Sequence, residues 1–91
     1  MMLKNELDAF IRKFAVFCEE KFNIQAPEQI DDHVPLEQIF EFDSLVLTMY
    51  VIQLEETFNI RVPDEEIIRL GNYSVSRLLN YIENRQAAVK G

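Results

Sequence analysis

Ser44 is the residue whose neighbours best equip it for chemistry. It follows Asp43, and a helix-compatible run extends from Ser44 to Phe58. Aspartate is a favoured helix N-cap, so the serine falls in the first turn with its hydroxyl near solvent. Backbone N–H groups there lack intrahelical acceptors, and the helix dipole is positive. A phosphate at that point is stabilised without an added basic residue, so the suggested chemistry is a phosphodiester on the Ser44 oxygen. A plain helix cap explains Asp43-Ser44 as well, and these residues alone favour that simpler reading.

Other reactive residue types offer less. Cys18 is the single cysteine, so no internal disulfide can form and no paired-cysteine metal motif exists. Phe14 and Phe22 stand at helical spacing from it, and only acids follow it, which describes a buried small hydrophobe better than a reactive thiol. His33, beside Asp31-Asp32, has no nucleophile partner. With no Ser/His/Asp set, no metal cluster and little chain left over for a substrate cleft, the reading is that this is not an enzyme.

The chain that must position Ser44 has 91 residues, enough for one domain, and 48% of them are hydrophobic. Two glycines and three prolines are few for an all-β chain. Sixteen acids against nine bases give a net charge of −7, which disfavours nucleic acid and favours basic partners or plain solubility. The apolar runs are too short to span a membrane, and Lys4 and Glu6 interrupt the start too early for a signal peptide. A cytoplasmic monomer is the default expectation.

Leu3, Leu7, Phe10, Ile11, Phe14, Phe17 and Cys18 recur at steps of three and four, which predicts an amphipathic helix over 3–22. An irregular stretch follows from Asn23 to Phe42, punctuated by Pro27 and Pro35. Its scattered apolar residues predict that it lies on the core, with a short helical turn over 36–40. A second helix is predicted over 43–58, ended by Asn59. Pro63-Asp64-Glu65-Glu66 restarts a short third helix over 63–70 that stops at Gly71. Ser74 caps a fourth helix over 75–85, and residues 86–91 are expected to be a frayed tail. The expected fold is all-α, with four helices and a long loop between the first and second.

Asp43-Ser44-Leu45 resembles the attachment motif of acyl carrier proteins. The resemblance continues ungapped to Glu66, through Leu54-Glu55-Glu56-Thr57-Phe58 and then Val62-Pro63-Asp64-Glu65-Glu66, and Tyr81-Ile82 is similar to the family's fourth helix. It implies a four-helix bundle of acyl-carrier type. It further implies that a phosphopantetheinyl transferase uses coenzyme A to attach 4'-phosphopantetheine to Ser44. The arm ends in a thiol that carries cargo as a thioester, and the protein moves that cargo between acyl-loading and acyl-processing enzymes docked on the second helix. Asp43 matches the acid that helps present the serine. Leu45 matches the hydrophobic residue that contacts the arm or the transferase, although partial core packing suits it equally.

Two features depart from the family pattern. The family's Leu-Gly-x-Asp-Ser-Leu run carries a glycine, whereas Ile39-Phe40-Glu41-Phe42-Asp43-Ser44-Leu45 has none. The outer face of the second helix is rich in acids in fatty-acid carriers. Here, with Leu47, Tyr50, Val51, Leu54 and Phe58 expected inward, it reads Val46, Met49, Gln53 and Glu56, with Glu55 alongside. These are the expected docking residues, and their apolar share points to a carrier serving a dedicated fatty-acid, polyketide or related pathway; the alternative for Val46 and Met49 is that the long loop covers them. Aminoacyl, peptidyl or aryl cargo is an alternative. A reading of another class is a carrier-like helical adaptor with Ser44 unmodified.

Overall fold

The computed structural model describes residues 3–90, and side-chain surroundings for 3–87. Four α-helices follow in order: α1 Leu3–Phe22, α2 Ser44–Phe58, α3 Asp64–Leu70 and α4 Val75–Lys90, with a single 3-10 turn at Leu36–Gln38 in the long loop. No strand occurs among the described residues. α2 packs on α1 and α3, and α4 packs on α1.

The apolar spacing of α1 places Leu7, Phe10, Ile11, Phe14 and Cys18 in the core. The helix stops where Asn23 adopts φ 57°, and the Ile24 N–H then reaches back to the Cys18 carbonyl at 3.2 Å. That bond reaches back six residues, one more than a Schellman closure, and asparagine tolerates the left-handed conformation. The loop beyond lies on the core as expected. Ile24, Leu36 and Phe40 are buried, and Ile30, Ile39 and Phe42 pack against the core partly buried.

α2 begins at Ser44, with Asp43 outside it as the N-cap, and ends at Asn59, whose φ of 53° makes a second left-handed stop. Pro63 is likewise the residue before α3 rather than its first member. Its fixed φ and extended ψ lead the chain in, and Asp64, Glu65 and Glu66 fill the first turn. Gly71 ends α3 without left-handed geometry, at φ −62°. Space explains it better: a Cβ there would come within 3.1 Å of the Phe42 ring.

The fourth helix corrects an expectation. Ser74 caps it, accepting the Arg77 N–H at 3.2 Å, but the helix continues to Lys90 instead of fraying from residue 86. Arg85 Nε donates to the Arg61 carbonyl at 3.1 Å, and Gln86 Nε2 donates to the Phe58 carbonyl at 3.2 Å. These tertiary bonds hold the helix to the α2–α3 connection, which local propensity does not register. Gly91 lies outside the described residues.

Candidate functional site

The candidate site is the start of α2. One Asp43 carboxylate oxygen, Oδ1, accepts the Val46 N–H at 2.8 Å, and the Asp43 carbonyl accepts the Leu47 N–H at 3.0 Å. The cap therefore turns the carboxylate onto the first turn. Ser44 is the first helical residue and is exposed, and its carbonyl accepts the Thr48 hydroxyl at 2.7 Å. The Ser44 and Leu45 N–H groups, at the first two helical positions, have no acceptor within the helix. An exposed hydroxyl, free N–H groups and a positive helix end suit a phosphodiester, so the residues present fit a phosphopantetheine linkage.

A wedge of aromatic rings supports this turn from below. The Phe42 ring lies 5.0 Å from that of Tyr50 and 5.9 Å from that of Phe40. Phe14 of α1 stacks edge-on against both Phe40 and Tyr50 at 5.3 Å. The loop therefore reaches Asp43 without the missing glycine by burying Phe40 in the core and packing half-buried Phe42 against it, on either side of exposed Glu41.

The docking face of α2 needs one correction. Val46, expected to point outward, is buried at 1% exposure. Steps of four carry the buried row from Val46 to Tyr50, Leu54 and Phe58, with Val51 beside it, so the inward arc is wider than expected on the Val46 side. The outward row is Leu45, Thr48, Ile52 and Glu56, flanked by half-buried Met49, Gln53 and Glu55. Leu45 is 57% exposed and Ile52 44%. An outward face with apolar members thus persists, with Ile52 in place of Val46. Continuing the three- and four-residue steps from Leu45 would have found it. Glu55 is partly committed, since its Oε2 accepts the Val62 N–H at 2.8 Å.

The remaining polar residues serve the scaffold. Tyr81 donates its hydroxyl to Glu66 Oε1 at 2.7 Å, joining α4 to α3. Lys4 Nζ bridges Asp8 at 3.0 Å and Asp32 at 3.2 Å, tying the loop to α1, and the hydrogen bond it donates to Asp8 leads in raising its pKa. Burial pushes the Cys18 thiol up to about 11, which keeps it protonated and unreactive near neutral pH. His33 lies on the exposed loop, where its N–H donates to Asp31 Oδ1 at 2.8 Å. No His/Cys/Asp/Glu group suited to a metal ion, and no helix long and apolar enough to cross a membrane, occurs among the described residues.

Known proteins resemble this chain in sequence and in fold. Residues 15–82 match the family model described as the phosphopantetheine attachment site. An acyl carrier protein of Wolinella succinogenes is 33% identical over 67 residues, covering 74% of this chain and 84% of the relative. The crystal structure of an acyl carrier protein from Thermotoga maritima superposes with a TM-score of 0.62 at 25% identity, covering 92% of this chain and 94% of that one.

Proposed function

Since this chain belongs to the phosphopantetheine attachment-site family, and is an acyl carrier rather than an enzyme, we propose that Ser44 is where its covalent 4'-phosphopantetheine is attached. The observation that carries this reading is an exposed Ser44 at the first position of α2 behind an Asp43 cap at 2.8 Å. When attached, the arm supplies a terminal thiol that holds acyl groups as thioesters. The residues of the chain present and orient. Asp43 sets the helix start and turns its carboxylate onto the Val46 N–H, and the free N–H groups of the first turn face the added phosphate charge. Leu45, exposed beside the serine, meets the arm or the transferase.

The partners are a phosphopantetheinyl transferase using coenzyme A and the enzymes that load and process the acyl group, working with a monomeric carrier in the cytoplasm. They dock on the outward face of α2, at Leu45, Met49, Ile52, Gln53 and Glu56. The apolar share of that face supports service to a dedicated fatty-acid, polyketide or related pathway. Incubation with coenzyme A and a broad-specificity transferase tests the site: intact mass rises by one phosphopantetheine in the natural chain and stays unchanged in Ser44→Ala. A gain that survives Ser44→Ala sinks the assignment.

A further inference from the structure

We propose that Gly71, on the turn between α3 and α4, is a positioning residue for Ser44 and acts through Phe42. Its backbone needs no glycine, because φ is −62°. What the site excludes is volume. A Cβ at Gly71 would stand 3.1 Å from Phe42 Cδ2, closer than such contacts ordinarily come, while its next neighbours would be 3.7 Å away. Half-buried Phe42 cannot retreat into the core. Its ring is backed by Tyr50 at 5.0 Å, Phe40 at 5.9 Å and Phe14 at 6.4 Å, and interiors of this density yield little room.

The same turn and the start of α4 clasp the loop backbone. The Gly71 carbonyl accepts the Glu37 N–H at 2.8 Å, the Tyr73 carbonyl accepts the Leu36 N–H at 3.0 Å, and the Ser76 N–H donates to the Asp32 carbonyl at 3.0 Å. Phe42 directly precedes the Asp43 cap, so a displaced Phe42 ring carries the cap, and then Ser44, with it. The α3–α4 turn, distant in sequence from the serine, thus sets where its hydroxyl is held. A Cβ at that distance asks the ring to give by a few tenths of an ångström, and because group transfer loses about a hundredfold for a misplacement of about 1 Å, a fraction of that displacement is enough to slow the reaction.

The link to the reaction rests on reading Ser44 as the attachment point, and the structural link is measured separately. Amide hydrogen exchange at Val46 and Leu47, whose N–H groups bond to Asp43, is compared with that at core Leu54. In Gly71→Ala the two first-turn amides are expected to exchange up to about tenfold faster, the scale of a weakened cap, with Leu54 unchanged. In a Phe42→Leu background, where the ring is gone, adding Gly71→Ala is expected to change nothing further. Equal acceleration of all three amides, or the same Gly71→Ala effect in both backgrounds, overturns the proposal. If Gly71→Ala does not fold by itself, Phe42→Leu compared with the double variant still decides: matching exchange supports the proposal and faster exchange in the double overturns it. Transfer of the arm from coenzyme A should lose kcat more than it raises KM in Gly71→Ala and recover in the double variant relative to it. Unchanged transfer despite faster first-turn exchange also overturns the proposal. A natural chain that accepts no arm at all refutes the Ser44 reading instead, and the exchange comparison still judges the Gly71–Phe42 link.

Discussion

Tyr50 carries the one buried side-chain polar atom among the described residues that meets no hydrogen-bond partner. Its ring sits between Phe10, Phe14 and Phe42, and burial raises the pKa of its hydroxyl far above the ordinary value of 10.0. An orphaned buried hydroxyl costs about 1–3 kcal/mol, so Tyr50→Phe should raise stability by about 1 kcal/mol, read as a higher urea midpoint at unchanged slope. A lowered midpoint would mean that the hydroxyl has a partner in solution. Ser44 contrasts with it. Its side chain is exposed at a helix start, so Ser44→Ala should leave stability within about 0.5 kcal/mol, and lost arm attachment in that variant then reports chemistry and not unfolding.

At the scale of the element, α2 divides into a row that holds the fold and a row that meets partners. Val46 and Ile52 are both β-branched and apolar and lie on the same helix, yet Val46 is 1% exposed and Ile52 44%. Val46→Glu should lose roughly 3 kcal/mol or more by burying an unpaired carboxylate, seen as a collapse of the thermal transition. Ile52→Glu should leave the transition nearly in place and lower acyl transfer from a cognate enzyme by about tenfold, since a buried apolar contact of this size is worth about 1–2 kcal/mol. Equal stability of the two variants would refute the division.

For the whole molecule, the radius of gyration is 12.5 Å, against about 12 Å expected for a compact chain of this length. Among the described residues, the titratable groups that depart clearly from their ordinary pKa values are all raised. Lys4 is raised by its bonds to Asp8 and Asp32, Cys18 to about 11 by burial, Tyr50 by burial, and Tyr81 by burial and then its bond to Glu66. A raised folded-state pKa gives stability that is full below the unfolded value and is lost as pH rises through the folded one. The unfolded values begin with the thiol at 9.0 and end with Lys4 at 10.5. These groups predict a urea midpoint that is flat between about pH 7 and 8.5 and falls above about pH 9, a fall that pH-resolved denaturation should show.

The linear chain by itself determined which segments become helices and where Ser44 stands on one of them. The apolar spacing of α1, the Asp43 and Ser74 caps and the Asn59 stop are local devices, acting over three or four residues, so they are legible without knowing what packs where. The outward rotation of α2 was only partly legible. The period located its inward row, but the width of that row depends on what surrounds Val46, and a neighbour from elsewhere in the chain is invisible in the helix's own pattern. Tertiary structure alone decided three further matters. Residues 86–90 are helical because Arg85 and Gln86 find the carbonyls of Arg61 and Phe58. Gly71 is set by the Phe42 ring and not by its own φ. The loop lacking the family's glycine reaches Ser44 by burying Phe40 and packing half-buried Phe42 against the core. Each of these is a contact between residues far apart in sequence, fixed by packing density and by carbonyls that need donors, and neither requirement has a local signature.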